Sequence, residues 1–187
     1  MIKFENENAL EDCICQMIDD DGVNPINGAK VFYYERQVQL GSYCIADIIC
    51  LEEVVYFGNR VGFYITVIEL KNEILKPIDL GQLSRYLTAL QNTEEGLLSQ
   101  EFCTRGILLT KKLTNKNACD PDLYYLLNLD LNDIEMYEFT LDPNSGVEFN
   151  KSGGWHKTED KKMKLEEFGN KSFEIALDAA EKEMEVQ

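Results

Sequence analysis

The chain is short of histidine, of proline and above all of positive charge. Its 187 residues hold one His, four Pro, and 18 Lys and Arg against 34 Asp and Glu, a net charge of −16. Each shortage excludes something. With His156 alone and no CxxC pair, a structural zinc site is not expected. So few prolines, with no long low-complexity tract, do not suit a disordered chain. The charge repels polyanions and leaves few cations for phosphate contacts, so a nucleic-acid role must overcome it. Nor is the acidity confined to a tail, because residues 1–150 hold 11 basic and 25 acidic side chains. No stretch approaches the roughly 18 uninterrupted apolar residues of a membrane helix. The opening "MIKFENENALED" is too polar for a signal peptide, and a cytosolic protein without membrane contact is expected.

What is present is enough apolar material for a core: 44% hydrophobic residues, with nine Phe and nine Tyr. The length suits one domain with a small appendage. Six cysteines, Cys13, Cys15, Cys44, Cys50, Cys103 and Cys119, are scattered over apolar stretches. In a reducing compartment they read as buried, inert thiols.

Leu10, Cys13, Ile14, Met17 and Ile18 fall on one helical face, and "DDDGVNPING" ends that helix with breakers. "AKVFYYERQVQLGSYCIADIICLEE" predicts one or two strands with a turn at Gly41. "VVYFGNRVGFYITVIELK" predicts a strand pair turning around "GNRVG". Leu80, Leu83, Leu87 and Leu90 mark a second helix. "TRGILLTKK" reads as a strand, "PDLYYLLNLD" as a helix, and "IEMYEFTLDPNSGVEFN" as a hairpin. The expected class is therefore α/β, a mixed sheet with helices on its faces. Residues 1–150 are expected to form the domain. Residues 151–187 would add a polar linker, with Trp155, His156 and the basic "KKMK" at 161–164, and a charged C-terminal helix.

Charges stand out on the apolar strands. Asp47 interrupts "YCIADIIC", and Glu69 and Lys71 close "VGFYITVIELK", two apart and so on one side of the strand. Two carboxylates helped by the backbone carbonyl of Leu70 are the hard oxygen ligands that Mg²⁺ or Mn²⁺ takes while keeping several waters. A lysine beside them is placed to orient or deprotonate an attacking water, or to stabilise charge on a phosphoryl group. The plainer reading is a strand-end ion pair and a hydrogen-bonded core carboxylate.

Asp47, a spacer of about twenty residues and Glu69-Leu70-Lys71 together resemble the PD-(D/E)XK nuclease signature, with Ala46 in place of the proline. Gln82-Leu-Ser-Arg-Tyr86 on the following helix fits the QxxxY motif of the RecB-like branch, its two named residues one turn apart. The chain is similar to Holliday-junction resolvases and to the C-terminal nuclease domains of NucS-type endonucleases. The resemblance covers about residues 5–112. It implies a restriction-endonuclease-like αβββαβ core, with the hairpin and last helix added after it. It also implies DNA as substrate, Asp47 and Glu69 as metal ligands, Lys71 at the water, and Gln82 orienting Lys71 or the scissile phosphate, with Tyr86 beside it. A first-helix glutamate belongs to the pattern. Glu7 and Glu11 both qualify, and Glu7, inside the apolar stripe, is preferred over Glu11 on its border. Arg36 and Arg85 are candidate phosphate contacts.

Two functions remain open on the sequence. One is a metal-dependent deoxyribonuclease, acting alone, as a homodimer, or within an assembly that supplies the missing positive charge. The other is a catalytically inactive nuclease-fold accessory protein that meets a protein partner through its acidic surface.

Overall fold

The computed structural model describes residues 4–42, 45–73, 75–91, 102–112, 133–142, 144 and 146–151. The chain divides into two compact units, Met1–Trp155 and His156–Gln187, and all the described residues lie in the first. The expected helix at 121–130, the linker with Trp155 and His156, the basic run 161–164 and the C-terminal helix fall outside them.

Helix α1 (Glu7–Asp21) starts where the Asn6 side chain accepts the Ala9 N–H at 2.9 Å, and ends at Gly22, whose φ of 69° returns its N–H to Ile18. A side-chain acceptor at the start and a left-handed glycine at the end satisfy backbone groups that a helix cannot satisfy itself. Strands β1 (Val31–Gln39), β2 (Ile45–Tyr56) and β3 (Asn59–Lys71) follow, then α2 (Pro77–Gln91), β4 (Phe102–Lys111), β5 (Ile134–Asp142) and β6 (Gly146–Lys151). The six strands form one sheet in chain order. β1, β2 and β3 pair antiparallel, β3, β4 and β5 pair parallel, and β6 returns antiparallel. The expected mixed-sheet α/β class is what the chain adopts.

Helix α2 opens on Pro77, whose missing N–H would have had no helical partner. Asp79 reaches back to the Lys76 N–H at 2.7 Å, half of a capping box. The β2–β3 hairpin turns at Phe57–Gly58, earlier than the expected "GNRVG". Phe57 and Gly58 have φ of 49° and 81°, and Tyr56 pairs with Asn59. Two left-handed residues make the tight turn whose twist matches the strands, so Asn59, Arg60 and Val61 go to β3.

The sheet separates two cores. Leu10, Ile14, Cys15 and Ile18 of α1 pack on Ile48, Cys50, Ile68, Leu70, Ile107, Leu109, Tyr137 and Phe139. Leu80, Leu83, Tyr86 and Leu87 of α2 pack on Ala46, Val67, Leu108 and Met136. Each fully buried aliphatic side chain contributes roughly 1.5–3 kcal/mol. The buried stripe of α1 is turned from the expected one. Glu11 and Cys15 lie inside, while Cys13 and Met17 are half-buried. A carboxylate enters the core at Glu11 because Arg36 neutralises it, Nε to Oε1 at 2.5 Å.

The thiols divide. Cys15 and Cys50 are buried, Cys13 is half-buried and Cys103 is exposed, all of them free. Burial pushes the Cys15 thiol up to about 11 and Cys50 higher still, so these two stay protonated and inert. Exposed Cys103 departs from the expectation. Cys44 and Cys119 lie outside the described residues.

Candidate metal and catalytic site

Asp47 sits just beyond the end of the β2–β3 ladder, in a gap of the β1–β2 pairing. Pairing with β3 begins only at Ile48↔Ile68. Pairing with β1 runs from Arg36↔Ile48 to Val38↔Ala46, without a Gln37 partner for Asp47. In place of a ladder bond, the Asp47 carboxylate accepts the Leu70 N–H at 2.8 Å. Leu70 turns its own side chain into the α1 core, where it is fully buried, so only its backbone faces the site.

Glu69 and Lys71 emerge on the same side of β3, as their spacing requires. Lys71 Nζ donates to Glu69 Oε1 at 2.7 Å, with side chains 18% and 1% exposed. The ion pair and the hydrogen-bonded Asp47 of the plainer reading are thus real contacts, but they do not complete the site. Glu69 Oε2 is buried with no hydrogen-bond partner. Burial, with the charge of Asp47, pushes Glu69 up to about 7 despite the pull of Lys71. Asp47 is raised as well, by burial first, with the charges of Glu11 and Glu7 adding to it. Burial alone would lower Lys71, but the hydrogen bond and charge of Glu69 outweigh it and hold the ammonium above its usual range.

Glu7 comes to the same place from α1. Its Oε1 accepts the Asn72 N–H at 3.3 Å, and Asn72 Nδ2 donates to the Phe4 carbonyl at 3.1 Å. Asn72, next to Lys71, is a tether that its sequence does not mark, because an asparagine after a strand is an ordinary turn signal. Glu11 has a different task. The expected ranking of the two is reversed in burial: Glu11 is 2% exposed and Glu7 half-buried. Glu11 accepts from Arg36 Nε and, at 2.7 Å, from Gln37 Nε2. Arg36 also meets Asp12 at 2.6 Å. Two carboxylates therefore occupy the guanidinium that was expected to contact phosphate, whereas Arg85 is exposed.

Gln82 and Tyr86 meet each other. Gln82 Nε2 donates to Tyr86 Oη at 2.7 Å, and Tyr86 Oη donates to the Ile45 carbonyl at 2.6 Å. Tyr86 is fully buried among the α2 leucines. Among the described residues no hydrogen bond joins Gln82 to Lys71. The pair holds the first residue of β2, two before Asp47, and bears on the site through the backbone.

Among the described residues no three His, Cys, Asp or Glu side chains gather into a ready-made metal cage. Mg²⁺ needs less, being held by one or two carboxylates with waters completing its shell. Asp47 and Glu69 supply these, and the orphaned Glu69 Oε2 is a buried oxygen that either a proton or a cation would satisfy.

A second charged cluster lies further along β2. Glu52, fully buried, accepts from Asn24 Nδ2 at 2.6 Å, from Asn27, from Thr66 Oγ1 at 2.5 Å and from Arg105. Arg105 also donates to Thr66 Oγ1 at 3.0 Å and lies 4.6 Å from the Tyr64 ring centroid. Every partner is protein, and the network pins the loop after α1 to the sheet. Among the described residues no helix is long and apolar enough to cross a membrane. Compared with known proteins, the chain matches no family model, no curated protein and no solved structure.

Proposed function

We propose that the chain is a metal-dependent deoxyribonuclease with a PD-(D/E)XK-like core. The order α1, β1, β2, β3, α2, β4 is compatible with the αβββαβ arrangement that the sequence resemblance implies. The observation that carries the reading is the buried, unpartnered Oε2 of Glu69, a carboxylate that feels the charge of Asp47 and is paired through Oε1 with the Lys71 ammonium.

Held by Asp47 and Glu69, Mg²⁺ or Mn²⁺ would supply Lewis-acid charge to a phosphoryl oxygen and make a nearby water more acidic. Lys71 acts as a cation and donor rather than as a base, because Glu69 keeps its proton in place. One of its three N–H groups goes to Glu69. The others orient the attacking water and balance charge on the phosphate as it develops. Asp47 keeps its geometry through the Leu70 N–H, and Glu7 adds a carboxylate at the rim. Gln82 and Tyr86 act at one remove, by fixing the start of β2.

The test is incubation of the purified protein with linear, branched and single-stranded DNA in Mg²⁺ or Mn²⁺. Cleavage by wild type and its loss in Lys71→Ala are expected. No cleavage of any substrate, or equal cleavage by Lys71→Ala, overturns the reading.

The net charge of −16 favours a second reading, a non-catalytic accessory protein whose acidic surface meets a basic protein. Capture of a stable basic partner, with no metal-induced change in melting temperature, would select it over the first.

A further inference from the structure

Gln37 is a glutamine with a φ of 50° near the end of β1. Only glycine adopts that backbone without strain, and a non-glycine residue held there costs on the order of 1 kcal/mol. On a regular strand, consecutive side chains point to opposite faces. Here Arg36 and Gln37 both reach one acceptor, the buried carboxylate of Glu11, at 2.5 and 2.7 Å. The left-handed turn brings them to the same side, and it occurs where the Gln37 pairing with Asp47 drops out. Glu11 is one helical turn after Glu7, on the same face of α1. Glu7 in turn reaches across to the Asn72 N–H at the end of β3.

We propose that Glu11, Arg36 and Gln37 form a latch between the edge strand and α1, and that this latch positions Glu7 beside Asp47 and Glu69. The three are positioning residues and do not touch the ion or the substrate. In its metal aspect the inference rests on the function proposed above. In its geometric aspect it stands alone, since the Glu7 bond to Asn72 is observable without metal.

The strain makes sense in this arrangement. An ordinary strand at Gln37 would give Glu11 one partner and leave half of a buried carboxylate unsatisfied, a cost of about 1–3 kcal/mol. The bend at Gln37 supplies the second donor and fixes the register of α1 on the sheet. Asp12, also bound to Arg36, holds the guanidinium from the other side.

Two variants test the latch. Glu11→Leu removes the acceptor and replaces a buried charge with an apolar group of similar size, a change that proteins often tolerate. Gln37→Gly removes one donor while relieving the backbone, so it should fold even if the first does not. Glu11→Gln keeps one acceptor oxygen and should rescue part of the effect. The first readout is hydrogen exchange of the Asn72 amide in the metal-free protein, with the Ile68 amide as reference. The second is calorimetric Mn²⁺ affinity.

Loss of Asn72 protection with Ile68 unchanged, and an affinity about 10–100-fold weaker in both variants, is the expected result. Unchanged Asn72 protection in Gln37→Gly and Glu11→Leu overturns the latch, whatever the metal does. If wild type binds no Mn²⁺ yet Asn72 loses protection in the variants, the latch stands and the metal reading of the site falls. If wild type binds Mn²⁺ and both variants bind it equally well, the latch has no part in the site and the proposal fails.

Discussion

The carboxylate of Asp47 stands in for a backbone carbonyl: it receives the Leu70 N–H at 2.8 Å where the β2–β3 ladder has ended. Asp47 therefore combines a fold role with a candidate chemical role, and two substitutions separate them. Asp47→Asn keeps an oxygen for Leu70 and should unfold in urea close to wild type, while its calorimetric Mn²⁺ affinity is lost. Asp47→Ala orphans the amide and should be less stable by about 1–3 kcal/mol.

Glu69 gives the site a pH dependence whose sign is opposite to that of ordinary acid unfolding. Its folded pKa of about 7 lies above the 4.5 of a free glutamate, so the native state holds the proton more tightly. Between these values the folded chain binds more protons than the unfolded one, and stability falls as pH rises through the window. Wild type should lose on the order of 1–3 kcal/mol from this group between about pH 5 and 8. Urea unfolding of Glu69→Gln at the same two pH values should lack that component.

Tyr86 carries its hydroxyl into an apolar cluster and spends it on the Ile45 carbonyl. Tyr86→Phe keeps the ring but leaves that carbonyl and the Gln82 amide without their partner. A loss of about 1–3 kcal/mol in thermal or urea unfolding is expected. The start of β2 should loosen, read as faster amide exchange near Ala46.

Gly106 on β4 lies directly under the Leu83 side chain of α2. A Cβ placed there would meet Leu83 side-chain atoms at 2.9 Å, so Leu83, which is fully buried, would have to shift. Gly106→Ala should cost about 1–3 kcal/mol through overpacking. The additional variant Leu83→Val opens space and should recover part of it.

Glu52 accepts from Asn24, Asn27, Thr66 and Arg105. Glu52→Ala leaves Arg105, Thr66 and two asparagines without their acceptor, and should destabilise by about 3–5 kcal/mol. Mn²⁺ affinity, measured at a temperature where the variant is folded, should stay at the wild-type value.

The sequence disclosed the elements whose pattern is local. The helix from Leu10 to Ile18, the leucine stripe from Leu80 to Leu90 and the charged end of "VIELK" are all periodic or out of character, and each element forms where its pattern implies, although the buried face of α1 is turned toward Glu11 and Cys15. What depends on distant partners was hidden. Glu11 can be more buried than Glu7 only because Arg36, 25 residues later, arrives to neutralise it. Asn72 has no marking as a tether until Glu7 and Phe4 are beside it. Phe57 gives no sign of its left-handed backbone, which the twist of the hairpin imposes. Gln82 and Tyr86 were legible as a pair, but not their target at Ile45.

Among the described residues β1 is an edge of the sheet, with Phe32 and Tyr33 exposed at 61% and 58%. A straight strand of that composition offers an open row of amides and carbonyls to any passing chain, and so seeds aggregation. The left-handed residue at Gln37 breaks the row partway along. The bend that holds α1 in register therefore also makes β1 a poor template for intermolecular strand addition, a second use for the same strained residue.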